Sequence, residues 1–188
     1  MDFALTFALP VMLAAGFVWL ASAASWMALP HHIGEYRPVN DEAAFAEALR
    51  RQSLKRGQYL LPHLDRWEDA TTPEGRERFV GGPVAFLTVL PNRVPSIRRH
   101  LLLTLAHYVI VCAAIAWATQ TFVPLGASYH SVFPPVAVMA LLAHGSALIP
   151  EAIWYGKPWS NVLRGLLDAT VFSLLTAGAM AAMWPPAP

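Results

Sequence analysis

Cysteine and charge are the two scarcities of this 188-residue chain. Its one cysteine, Cys112, lies inside an apolar run, so an intrachain disulfide is excluded and the sequence carries no redox signature. Charged residues make up 13% of the chain, roughly half the share of about 25% in an ordinary soluble domain. Internal repeats, low-complexity tracts and coiled-coil heptads are also missing. So are GxSxG, P-loop, CxxC and HExxH signatures. The stretch "GRERFVGGPV" has the glycines of a phosphate loop but not its Lys and Ser or Thr. The acidic pair Glu68-Asp69 sits in a polar stretch and reads as solvated. No enzymatic activity is expected on these grounds. The net charge of +1 gives no basis for a nucleic-acid partner.

What is present is apolar sequence in long runs, 56% of all residues. A membrane-crossing helix takes about 20 mostly apolar residues. Four stretches meet that length, about Phe3 to Leu29, Leu101 to Thr121, Val132 to Ile149 and Val162 to Trp184. The third begins after Pro134-Pro135, residues suited to a first helical turn. The fourth holds Arg164 and Asp168 near its start, which leaves Ala169 to Trp184 as its apolar part. The first carries "LASAAS", a possible cleavage site, but opens on "MDF" where a signal peptide needs Lys or Arg. Its length also exceeds a signal core, so it reads as an anchor. Six tryptophans, Trp19, Trp26, Trp117, Trp154, Trp159 and Trp184, fall mostly near span ends, as interfacial aromatics do.

All 13 Lys and Arg fall between the first and second spans, between the third and fourth, or just inside the fourth. The N-terminal residues, the segment "VPLGASYHSVF" and the tail "WPPAP" have none. Because cytoplasmic loops collect positive charge, the expected topology has both termini periplasmic and residues 30–98 cytoplasmic. The expected divisions are therefore a first membrane helix over 1–29, a cytoplasmic insert over 30–98, and membrane helices two to four over 99–188. The fold class is an all-α membrane protein, a four-helix transmembrane bundle with a small α/β insert.

Within the insert, "NDEAAFAEALRRQ" predicts an amphipathic helix capped by Asn40 or Asp41 and stopped by Gly57. "QYLLP" and "PVAFLTVLP" predict two short strands, with the polar "DRWEDATTPEGRER" as a loop between them. One helix and two strands make a marginal core, so the insert is expected to rest on the bilayer or on a partner. "RRQSLKR" and "RVPSIRR" can attract anionic lipid, although topology alone accounts for these charges. The segment "PEAIWYGKPWSNVLRGLLDA" reads as a tight turn bent at Gly156 and Pro158, with Ser160 or Asn161 capping the fourth helix.

Apart from Arg164 at the start of the fourth, three His and Asp residues lie inside the spans. At 1.5 Å per residue, His107 lies roughly 12 Å from the cytoplasmic end of its helix, and His144 and Asp168 each roughly 10 Å. Charges in hydrocarbon are costly and turn inward to pair, so His107, His144 and Asp168 are expected to form a polar layer. The preferred reading is a hydrogen-bonded lock in which Asp168 accepts from one histidine. The alternatives are a transition-metal or haem site on His107 and His144, and a proton path. No cofactor is expected under the preferred reading. His31, His32 and His100 fall at the membrane interface and read first as headgroup contacts; they become metal candidates if they converge.

The residues "LPHH", "GQYLLP", "GGPV" and "IWYGKPWSNVLRGLLDA" together resemble a group of small bacterial four-span inner-membrane proteins of no assigned activity. The resemblance covers most of the chain and implies a bacterial inner membrane and a four-span plan. The expected function is a non-enzymatic accessory, assembly or scaffold subunit, with a metal- or haem-binding membrane protein as the alternative. Its partners would be the bilayer and a membrane or cytoplasmic protein reached through the insert.

Overall fold

The computed structural model describes residues 2–187. It divides into two compact units, one built from the chain up to Tyr36 and from Ser96 onward, the other from Arg37–Pro95. In chain order the elements are α1 (Phe3–Met27), α2 (Glu42–Arg51), β1 (Gly57–Leu61), α3 (Pro73–Gly81), β2 (Ala85–Val89), α4 (Ile97–Thr119), α5 (Tyr129–Gly145), α6 (Leu148–Tyr155) and α7 (Trp159–Ala182). Short 3-10 turns lie at Pro30–His32 and Trp67–Thr71.

In the first unit, α1, α4, α5 continued by α6, and α7 are each long and apolar enough to cross a membrane. The buried stripe of α1 is Phe7, Val11, Ala14 and Val18; that of α4 is Tyr108, Cys112, Ile115 and Thr119. Both run at alternating steps of four and three, which keeps one face toward neighbouring helices. The opposite faces are also apolar, with Leu5, Leu9, Ile110, Val138 and Leu167 exposed. A water-soluble bundle would carry charge there, and apolar surface on this scale marks contact with lipid or protein. α7 packs against α5 and α1, and α1 against α4. Small residues of α7, namely Ala169, Ala177 and Ala181, are buried and permit close approach. Gly145 of α5 meets Ala169 and Leu166. The hydroxyls of Thr119, Ser173 and Thr176 donate to the carbonyl four residues back, so no buried hydroxyl there is left unpaired.

Side-chain bonds tie the connections to the helices. Trp19 Nε1 donates to the Leu101 carbonyl at 2.9 Å, joining α1 to α4. At the other end, Trp184 Nε1 donates to the Pro124 carbonyl at 3.0 Å and the Gly126 amide to the Pro185 carbonyl at 2.8 Å. The Trp184 ring also meets Phe7 edge-on at 5.1 Å.

Several expectations need correcting. Pro134 and Pro135 lie inside α5, which begins at Tyr129, not at its start. A proline cannot donate to the carbonyl four residues back, so the helical carbonyls of His130 and Ser131 lose those partners. The third span is longer than its apolar core, with a break at Ser146 and Ala147 before α6. α7 begins at Trp159 without a side-chain cap, so Ser160 and Asn161 lie within it; Asn161 Oδ1 instead accepts from Arg164 at 3.3 Å. The segment "LPHHIGEY" packs within the helical unit, and the other compact unit runs over Arg37–Pro95.

In the Arg37–Pro95 unit, β1 and β2 form an antiparallel pair with Gly57 opposite Val89 and Leu61 opposite Ala85. α2 is capped by Asp41, whose carboxylate accepts from the Ala44 amide at 2.9 Å. The stretch expected as a polar loop instead forms the 3-10 turn and α3. Thr72 caps α3 by accepting from the Gly75 amide at 3.0 Å, and Pro73 occupies its first turn. A Cβ on Gly75 would run into the backbone carbonyl of Asp69, while one on Gly81 meets nothing. Gly75→Ala is therefore expected to destabilise this unit by about 1–3 kcal/mol through overpacking, and Gly81→Ala to leave it unchanged. Limited proteolysis within residues 37–95 against denaturant checks both.

Candidate functional site

The polar side chains of the helical unit meet where α1 ends. Ser25 sits in the last turns of α1, buried. The helix stops at Met27, and Pro30 opens a 3-10 turn through His32. Proline suits that first position because it has no amide hydrogen to leave unpaired. Gly34 follows at φ +86°, a left-handed conformation that glycine adopts without a side-chain clash. The Pro30 turn and Gly34 fold the chain back, so that His31, His32 and Glu35 converge with Asp168 of α7 rather than leaving the helix end.

Asp168 is the hub. Its Oδ2 accepts from Ser25 Oγ at 2.6 Å and pairs with His32 Nε2 at 2.8 Å, and its Oδ1 pairs with His31 Nε2 at 3.0 Å. On the far side of the His32 ring, Nδ1 pairs with Glu35 Oε1 at 2.7 Å. Side-chain exposure is 6% for His32, 5% for Glu35 and 13% for Asp168, against 32% for His31. The Trp26 ring stacks on His32 with centroids 3.9 Å apart and planes 4° from parallel, which fixes the imidazole's orientation.

Each nitrogen of His32 faces a carboxylate oxygen, and carboxylates only accept. A neutral imidazole has one N–H, so it satisfies one contact and turns a lone pair on the other. With both acids ionised, the pairing is complete only with positive charge at the ring. Burial alone would lower the pKa of His32; hydrogen bonds to Asp168 and Glu35, reinforced by their charges, outweigh it and hold the imidazole above its ordinary value. The Trp26 face adds a cation–π contact. The cluster thus joins α1, the following turn and α7 through two acids and an imidazolium, with His31 as a second donor.

This constellation differs from the expected layer in its membership. Asp168 bonds His31 and His32, not His107 or His144. His107 is exposed, its ring 5.7 Å from that of Tyr108. His144 is half-buried, flanked edge-on by Tyr108 at 5.8 Å and Phe172 at 5.9 Å, and its Nε2 is buried without a hydrogen-bond partner. His100 Nδ1 donates to the Ser96 carbonyl at 2.8 Å and stays on its own helix. His32 is buried against protein rather than placed as a headgroup contact. Ser25 and Glu35 join the cluster from outside the three-residue layer. The signal for Glu35 was its spacing three residues after His32 with a glycine between.

Of these donors, one atom each from His31, His32 and Asp168 lies within 4.8 Å of the others, close enough for all three to hold one metal ion. No family model, curated protein or solved structure matches the chain.

Removing Asp168 leaves a buried imidazolium beside one acid, and breaking such a pair costs about 3–5 kcal/mol. Asp168→Ala and His32→Ala are expected to lower the melting temperature of the detergent-solubilised protein sharply, and His107→Ala to leave it within experimental error. A histidine whose folded pKa is raised contributes stability in full below its ordinary value and loses it as pH rises through the raised one. The melting temperature of the wild type is therefore expected to fall from near pH 6 into the alkaline range, with a shallower fall in Glu35→Gln. Thermal unfolding across that pH range checks the sign.

Proposed function

We propose that the chain is a multi-pass protein of the bacterial inner membrane that acts as a non-enzymatic accessory, assembly or scaffold subunit. Its four apolar helices form the membrane bundle, both termini are periplasmic, and the Arg37–Pro95 unit is cytoplasmic. The one-sided distribution of Lys and Arg supports that orientation. On that orientation the Asp168 cluster lies near the cytoplasmic face.

The observation that carries the reading is the condition of the Arg37–Pro95 unit. Its sheet has two strands, and neither strand has a buried residue. Such a sheet is marginal alone and takes its stability from packing against something else. Trp67 is 70% exposed, Val80 89% and Val94 92%. Apolar groups displayed on a unit with so small a core suit recognition of another protein. The unit is joined at both ends to membrane helices, which holds any partner at the membrane.

Reporter fusions after residue 70 are expected to give cytoplasmic signal, and fusions at either terminus periplasmic signal; the reverse pattern overturns the topology. At native expression, the mildly solubilised protein is expected to co-migrate with a protein partner. Trp67→Asp combined with Val80→Asp should abolish that association without changing the unfolding of the helical unit. A wild-type protein that runs as a lone monomer overturns the scaffold reading.

A further inference from the structure

The His31–His32–Asp168 cluster has features that a purely structural lock does not need. A lock requires one imidazole and one acid, whereas here two imidazoles present the same atom type, Nε2, to one carboxylate. The donor set is two nitrogens and one oxygen, each from a side chain that commonly ligates transition metals. Ligand atoms around a tetrahedral zinc-class ion with bonds near 2.0–2.1 Å sit roughly 3.3 Å apart. His31 Nε2 lies 3.0 Å from Oδ1 of Asp168 and His32 Nε2 lies 2.8 Å from Oδ2, and one donor atom of each of the three residues lies within 4.8 Å of the other two, so small side-chain adjustments bring them to that spacing.

We propose that His31, His32 and Asp168 bind one first-row divalent cation of the zinc class. Glu35 is the positioning residue. Its carboxylate on His32 Nδ1 fixes that proton and directs the Nε2 lone pair at the ion, the carboxylate–histidine–metal arrangement of many metal sites. The Trp26 stack holds the ring in that plane. His31, one-third exposed, lies on the solvent side and provides the entry route. Ser25 Oγ, 2.6 Å from Asp168 and 3.3 Å from His31, keeps the carboxylate aimed between the imidazoles. On binding, the ion takes the place of the hydrogens in the His–Asp contacts: His32 releases its Nε2 proton to solvent, and His31 carries its proton on Nδ1. The positive charge that two acids demand around His32 is then supplied by the metal. Three protein ligands leave a fourth position for water or an exogenous group.

The test uses the full chain without a histidine tag, in mild detergent, stripped with chelator and titrated with Co²⁺ and then Zn²⁺. The wild type is expected to take up about one Co²⁺ with tetrahedral ligand-field absorption, displaced by Zn²⁺. His31→Ala, which leaves the buried His32 contacts in place, is expected to remove that absorption. Glu35→Gln is expected to bind about 10–100-fold more weakly, as changes behind a ligating histidine do. His107→Ala is expected to bind as the wild type does. Size-exclusion profiles confirm folding, and if His31→Ala does not fold, Glu35→Gln against wild type decides. A folded wild type without stoichiometric uptake overturns the site. So does uptake unaffected by Glu35→Gln in the folded protein, and so does uptake lost in folded His107→Ala.

Discussion

A carboxylate withdrawn from water must be met by hydrogen and charge, and Asp168 is where this fold meets that demand. An isolated buried acid is costly enough to reorganise its surroundings. Here the surroundings come from a different part of the chain: Ser25 from the end of α1, and His31 and His32 from the turn after it. The second acid, Glu35, compounds the demand, because His32 must serve both. One imidazole between two carboxylates is a device for holding a positive charge at a chosen point, and the helices that carry those groups are held with it.

The helical unit has no solvent-facing polar side to contrast with its core, so hydrophobicity alone cannot orient its helices. Packing does that work. α7 turns Ala169, Ala177 and Ala181 inward together with Phe172 and Met180, and leaves Leu163, Leu167 and Leu174 outside. In a medium as apolar as the core, what favours association is close contact between backbones and satisfied polar groups. The intrahelical bonds of Thr119, Ser173 and Thr176 follow the same rule by sparing their hydroxyls a search for partners.

The spans were legible because length and apolar content are properties of a single segment. Asp168 was legible as a group that could not sit unpartnered. Its partners were not, because depth along a straight helix relates only residues inside the spans. His31 and His32 lie beyond Met27, and Pro30 and Gly34 bring them back to Asp168. The helix α3 was overlooked because it is polar over most of its surface, although Thr72-Pro73-Glu74 is a helix start by chemistry alone. Pro134 and Pro135 misled in the other direction: they mark a helix beginning in water, but membrane helices accept proline within their length. The absence of a visible heptad has the same origin as the missing polar face. The four-and-three spacing of Phe7, Val11, Ala14 and Val18 is there, masked by equally apolar residues outside.

Besides the Trp19–Leu101 bond between α1 and α4, ties at both ends of the bundle involve α7 or the residues that follow it. Asp168 is on α7, and Trp184 and Pro185, which hold the connection between α4 and α5, directly follow it. A chain made from its N-terminus releases α1, α4 and α5 before α7 exists. During synthesis, then, Ser25 and the two histidines wait without their acid, and the α4–α5 connection waits without its clasp. The packing of α1 on α4 and their Trp19–Leu101 bond need no α7, whereas the acid of the cluster and the clasp on the α4–α5 connection both wait for the last helix.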